Sequence, residues 1–132
     1  MEKLINKRIL VVDDDTRNTF ALKSYLETFG MKVVVSENGK EAIALLHEDS
    51  TIDIILLDMM MPVMDGYETL ALLKTTDSLN RIPVIAVTAR AMKGDKEKCL
   101  ECGAWDYISK PIDLDMLMDI ITRWITKDGN RK

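Results

Sequence analysis

Asp58 follows four consecutive aliphatic residues, Ile54-Ile55-Leu56-Leu57, and Pro62 comes four residues after it. Such a run reads as a strand buried on both faces, as a parallel sheet requires. Alone, the carboxylate at its end would be a turn cap. Other apolar runs in the chain, however, also end on reactive polar groups. Ile9 to Val12 runs into Asp13, Asp14 and Asp15, Val84 to Val87 into Thr88, and Tyr107-Ile108 into Ser109-Lys110-Pro111. Clustered carboxylates repel one another unless a cation joins them, and hard oxygens suit Mg2+, which keeps several waters and accepts a phosphate oxygen. A lysine opposite them can neutralise a second phosphate oxygen, and a threonine hydroxyl can hydrogen-bond a third. Asp58 is then left as an ionised carboxylate able to act as a nucleophile and form an acyl phosphate. Phosphoryl transfer needs mainly positioning and charge neutralisation, so no general base is required.

The elements that must position these groups follow from periodicity. Arg8 to Val12 is a first strand. A helix from Thr16 to Phe29 carries Leu22, Tyr25, Leu26 and Phe29 on one face, and Gly30 ends it. Lys32 to Ser36 is a second strand, and Asn38-Gly39 leads into a helix with Ala42, Leu45 and Leu46 inward. The third strand spans Ile52 to Asp58. Asp65-Gly66-Tyr67-Glu68 has the spacing of a capping box, so a third helix should start there and bury Leu70 and Leu73, with Ala71 beside them. Pro83 to Val87 is a fourth strand ending on Thr88, and a polar helix from Lys93 to Cys102 closes at Gly103. Asp106 to Ile108 is a short fifth strand. The last helix carries one apolar stripe of Leu114, Leu117, Met118, Ile121 and Ile125.

Strand and helix thus alternate five times, which predicts a right-handed, doubly wound α/β fold on a central parallel sheet. Function in such sheets gathers outside the carboxyl ends of the strands. An order that makes strands 1, 3, 4 and 5 neighbours, roughly 4.8 Å apart, brings Asp13 to Asp15, Asp58, Thr88 and Lys110 to one shallow cleft.

At 132 residues and 47% hydrophobic content, one domain with a substantial core is expected, over residues 1–127 with a tail at 128–132. No apolar run reaches membrane-spanning length and the first residues lack a signal-peptide core, so a cytoplasmic protein is expected. A net charge of -4 gives no electrostatic reason to bind nucleic acid. Cys99 and Cys102 form a C-x-x-C, but a zinc site needs four ligands and the single histidine, His47, is remote in sequence, so reduced structural cysteines are expected. His47, near a helix end, reads as a solvated residue.

The chain resembles, over essentially its full length, the receiver domain of two-component response regulators, and most closely those at the C-terminal end of hybrid histidine kinases. The matching pieces are Leu10-Val11-Val12-Asp13-Asp14-Asp15, Leu57-Asp58-Met59-Met60-Met61-Pro62-Val63-Met64-Asp65-Gly66, Val87-Thr88-Ala89 and Tyr107-Ile108-Ser109-Lys110-Pro111. The hybrid-kinase likeness rests on Arg90-Ala91-Met92-Lys93-Gly94-Asp95 and on Asn18 four residues after Asp14. The resemblance implies a single (βα)5 flavodoxin-like domain with strand order 2-1-3-4-5. It implies Asp58 as phosphoacceptor from a partner's phosphohistidine, and Asp13 and Asp14 as the metal-binding pair, with Asp58 and the Met60 backbone carbonyl completing a Mg2+ site. Lys110 is implied as the phosphate-binding lysine before a cis Lys110-Pro111 bond, and Thr88 with Tyr107 as the switch pair that remodels the face of helix 4, strand 5 and helix 5. The implied partners are a histidine kinase dimerisation domain or a histidine phosphotransfer protein, with no nucleic acid and no direct membrane contact. Such a domain is not an enzyme on a separate substrate; in the hybrid case the parent chain would be a histidine kinase, and a free-standing single-domain regulator is equally compatible with the length.

Departures sharpen the picture. Asp15 is read as a helix-start residue. Trp105 stands where the family has a small or acidic residue, and is read as a ring covering strand 5, with a partner anchor as the alternative. Met60 and Arg90 lie two residues beyond the acceptor and the threonine, where the family tunes dephosphorylation; an apolar Met60 cannot orient a water, which implies a long-lived phosphoryl group. An Asp-nucleophile phosphohydrolase would place an acid where Met60 stands. A flavodoxin-like flavin binder would need a Ser/Thr/Gly-rich loop where Asp13-Asp14-Asp15 would repel the flavin phosphate.

Overall fold

The computed structural model describes residues 4–49, 51–60, 66–88 and 93–129. Five parallel strands, β1 (Arg8–Val12), β2 (Lys32–Ser36), β3 (Ile54–Asp58), β4 (Val84–Thr88) and β5 (Asp106–Ser109), form one sheet in the order β2-β1-β3-β4-β5. Between and after them run α1 (Thr16–Glu27), α2 (Gly39–Glu48), α3 (Gly66–Thr75), α4 (Lys93–Glu101) and α5 (Leu114–Gly129). The expected doubly wound (βα)5 architecture and strand order are therefore what the chain adopts.

Strand alternation divides the core in two. Ile9, Val11, Ile54, Leu56, Ile85, Val87 and Ile108 face Leu22 and Leu26 of α1 and Leu117, Ile121 and Ile125 of α5. Leu10, Val12, Ile55, Leu57, Val84 and Ala86 face Ala42 and Leu46 of α2, Leu70 and Leu73 of α3, and Cys99 of α4. Every residue of β3 and β4 is buried, as expected of continuous apolar runs covered on both faces.

Several boundaries and faces differ from expectation. The first helix ends at Glu27, because Thr28 caps it and Gly30 turns at φ 84°; Tyr25 and Phe29 still meet edge-on at 5.2 Å. β3 begins at Ile54 rather than Ile52, and β5 continues through Ser109. Ala71 is exposed, and Thr69 is buried in its place beside Leu70 and Leu73. Leu114 is 38% exposed at the start of α5, so the buried stripe begins at Leu117. α4 ends at Glu101, leaving Cys102 in the following turn, and the α5 backbone runs through Gly129, past the expected start of the tail. The capping residue expected at Asp65 lies outside the described residues.

Gly66 opens α3 directly against the end of β3. A Cβ there would sit 2.5 Å from Met59 Cα and 3.1 Å from the Asp58 carbonyl oxygen. Only a residue without a side chain allows this approach, and it fixes the strand end that carries Asp58.

Candidate functional site

The carboxyl ends of β1, β3, β4 and β5 converge as the strand order requires. Past β1, the Asp13 N–H donates to the Ser36 carbonyl at 3.0 Å, which extends the ladder by one residue and delivers the Asp13 side chain inward, 3% exposed. The next residue, Asp14, faces solvent. Asp15 caps α1, its carboxylate accepting from the N–H groups of Arg17 at 3.0 Å and Asn18 at 3.3 Å, which is the helix-start role expected of it. Asp58, also 3% exposed, ends β3 and accepts the Met60 N–H on Oδ1 at 2.9 Å.

Lys110 enters from the end of β5. Its backbone N–H donates to the Thr88 carbonyl at 2.8 Å, and the Lys110-Pro111 peptide is cis. Its Nζ lies 3.3 Å from Asp58 Oδ2 and 3.7 Å from Asp13 Oδ2. Asp13, Asp14 and Asp58 each offer a carboxylate oxygen within 4.8 Å of the others. A set of hard oxygens of one sign, two of its carboxylates buried, suits a divalent cation.

The electrostatics show how crowded this cleft is. Burial raises the pKa of Asp58 and repulsion from Asp13 adds to it; the Met60 N–H and Lys110 oppose, and the net direction is up. Burial works against the charge on Lys110, but Asp58 and then Asp13 outweigh it and raise its pKa. One ammonium thus serves two buried carboxylates.

Thr88 is buried at the end of β4. By alternation it lies on the sheet face of Val84 and Ala86, and Tyr107, half-buried, packs against that same cluster. Met60 points its side chain outward, 67% exposed. Arg90 lies outside the described residues. Trp105 is half-buried and meets Trp124 of α5 edge-on at 5.4 Å, in keeping with a ring that covers β5. Asp106 accepts the Trp124 Nε1–H at 3.0 Å and pairs with Arg123 at 3.3 Å. Cys99 is buried and Cys102 half-buried, neither in a disulfide, and His47 is exposed in the last turn of α2.

Sequence reasoning missed how Asp13 is held. Its Oδ1 accepts the Asp15 N–H at 2.9 Å, and its Oδ2 accepts the Asn18 side-chain amide at 2.7 Å. The available signal was an amide side chain in the first turn of the helix that follows the acidic run.

The fold and cleft define a doubly wound α/β domain with an acidic cleft at the carboxyl ends of its strands, and comparison with known proteins makes the class specific. The family model for the response regulator receiver domain matches residues 9–122, and the chain belongs to that family. A hybrid signal transduction histidine kinase I of Dictyostelium discoideum is 37% identical over 131 residues; the match covers 95% of this chain but 8% of the kinase. The polar-differentiation response regulator DivK of Brucella anthropi is 38% identical over 119 residues, covering 90% of this chain and 96% of DivK. Among solved structures, the receiver domain of a Pseudomonas aeruginosa sensor histidine kinase, with a magnesium ion in its active site cleft, superposes with a TM-score of 0.84 at 34% identity, covering 92% of this chain and 98% of that one. The receiver domain of a Saccharomyces cerevisiae response regulator, solved with a histidine phosphotransfer protein, superposes at 0.85 with 27% identity, covering 92% and 90%. The chain is accordingly a receiver domain of the two-component type, a family of phosphoacceptor signalling domains.

Proposed function

We propose that Asp58 is the phosphoacceptor, taking its phosphoryl group from a phosphohistidine on a histidine kinase dimerisation domain or a histidine phosphotransfer protein. The observation that carries this is the surrounding of Asp58: Lys110 Nζ 3.3 Å from Oδ2, and oxygens of Asp13 and Asp14 within 4.8 Å of its own. One Asp58 oxygen bonds to phosphorus as the P–N bond breaks. The electron pair goes to the leaving nitrogen, and the ring departs as neutral imidazole, protonated on its other nitrogen. Lys110 and the Thr88 hydroxyl meet phosphoryl oxygens, so charge is neutralised without a general base. Asp13, Asp14 and Asp58, with the Met60 carbonyl, are the groups that would hold Mg2+, which when bound neutralises charge on the transferring group.

Thr88 and Tyr107 share a face of the sheet on adjacent strands, which supports their reading as a coupled switch that remodels the face of α4, β5 and α5. Met60, exposed and apolar, offers no group to orient a hydrolytic water, so the acyl phosphate is long-lived and is read by docking or relayed onward. The signalling unit is taken as residues 1–127, with 128–132 as a tail that starts within the last turn of α5, working in the cytoplasm; among the described residues no helix is long and apolar enough to cross a membrane.

Intact mass after incubation with acetyl phosphate tests the proposal. Wild type should gain one phosphoryl group with Mg2+ and none without it, and Asp58→Asn should gain none under either condition. Wild type that stays unmodified while folded would demote the carboxylates to structure.

A further inference from the structure

We propose that Asn18 is a positioning residue for Asp13, and that its amide sets how tightly the acidic cleft holds a divalent cation. The inference rests on reading Asp13, Asp14 and Asp58 as the cation site. Asn18 lies in the first turn of α1, and its Nδ2 donates to Asp13 Oδ2 at 2.7 Å. The other oxygen of Asp13 takes the Asp15 N–H at 2.9 Å, so the start of α1 holds the buried carboxylate at both ends. Asp13 Oδ2 stands 3.7 Å from Lys110 Nζ, whereas Asp58 Oδ2 stands at 3.3 Å, so the lysine leans toward Asp58.

Without the Asn18 amide, Lys110 becomes the nearest donor left to Asp13 Oδ2. The carboxylate then leaves the orientation the amide imposes, turns toward the ammonium and competes with Asp58 for Lys110. A carboxylate oxygen has lone pairs enough to keep the amide and also meet a cation, so the bond orients Asp13 without blocking it. Groups that orient a metal ligand are worth about 10- to 100-fold in metal affinity. Asn18 supplies one of two such donors, which places the expected loss near the lower figure.

Two replacements separate this role from helix stability. Leucine is close in shape to asparagine, and the groove beside position 18 includes the apolar Ala21, Leu22, Ile112 and Leu114 as well as Asp15 and Lys110. Alanine removes the amide and raises helix propensity. Neither change weakens α1, so a loss of cation affinity reports the missing amide.

The test is MgCl2 titration followed by backbone amide shifts, on Asn18→Leu and Asn18→Ala, each in the native and the Asp13→Asn background. In the native background the Mg2+ Kd should rise by about tenfold. In the Asp13→Asn background the same changes should alter Kd by less than about twofold, because the residue acts through Asp13. An unchanged Kd in the native background, or equal losses in both, overturns the positioning role. Wild type with no saturable Mg2+ response overturns the cation-site reading and this inference with it, which is a different result from wild type that binds and variants that bind equally well.

Discussion

The two ends of the sheet treat carboxylates in opposite ways. At the amino end, Asp49 pairs with Arg8 at 2.8 Å and accepts from Thr51, while Asp53 accepts the Arg8 N–H at 2.8 Å. Hydrogen bonds from Thr51 and the nearby Arg8 charge lower the pKa of Asp49. At the carboxyl end, Asp13 and Asp58 are buried side by side with one shared lysine, and the pKa of Asp58 is raised. One end matches each negative group to local donors, which stabilises the fold. The other leaves negative charge under-compensated, which costs stability and is the kind of site a divalent cation suits. The contrast is consistent with function being placed where the fold tolerates strain of charge.

The crowding depends on α3 meeting the end of β3, and removing that approach should break the contrast most completely. Gly66→Ala places a methyl 2.5 Å from backbone at Met59, which cannot move without moving Asp58. Overpacking of this kind costs roughly 3 kcal/mol. Urea unfolding should show that loss, together with slower acquisition of the phosphoryl group from acetyl phosphate. A variant as stable as wild type would mean that the strand end adjusts freely and that its position is not fixed by α3.

Asp58→Asn sharpens the comparison by removing charge and keeping shape. The folded pKa of Asp58 lies above its unfolded value of 3.8, so folding favours the protonated form. Its stability contribution is complete below the unfolded pKa and is lost as pH rises through the folded one. At neutral pH the wild type therefore carries a penalty that the amide lacks. Burial of the charge is the larger part of that penalty, and repulsion from Asp13 adds to it, like charges about 4 Å apart repelling by about 1–4 kcal/mol between bulk water and a near-surface medium. Lys110 offsets part of this, which leaves an expected gain of about 1 kcal/mol for Asp58→Asn in metal-free buffer. The gain should shrink as pH falls toward 3.8 and should be reproduced in wild type at pH 7 by saturating Mg2+. A loss of stability at pH 7 would mean that Lys110 over-compensates the pair.

Much of this was legible in the sequence because it is written in short-range patterns. Four aliphatic residues before Asp58 mark a strand buried on both faces, and the run of three aspartates after Val12 marks where a strand gives way to a helix. The cleft followed once the strand order was supplied, and that order came from the family resemblance, since local periodicity carries no information on which strands pair. What stayed hidden depends on side-chain direction in three dimensions. The Asn18 amide on Asp13 and the Trp105–Trp124 contact both join residues whose spacing alone does not show that their side chains meet. Leu114 fits the helical period of α5, yet it opens on the groove beside Lys110 because the helix starts there, before the sheet covers it. Periodicity identifies a face and cannot say where along that face the neighbouring layer begins.

The smallest expected effect lies at the amino end, and it runs the other way. The folded pKa of Asp49 is depressed by the Thr51 hydroxyl and N–H and by Arg8, so its stabilisation is present above the unfolded value of 3.8 and is lost as pH falls through the folded one. Asp49→Ala should lower Tm at pH 7 by less than Asp58→Asn raises it, because Asp49 and Arg8 are both partly exposed to solvent, where ion pairs are weakened and screened. Added salt should shrink the Arg8 share of that loss and leave the Thr51 share. As the buffer is taken acid, the gain from Asp58→Asn fades first, between its raised pKa and 3.8, and the loss from Asp49→Ala fades below 3.8. The two difference curves should therefore reach zero from opposite sides and in that order. Curves of the same sign would show that the carboxyl end is as well compensated as the amino end, and that the cleft holds no electrostatic penalty for a cation to relieve.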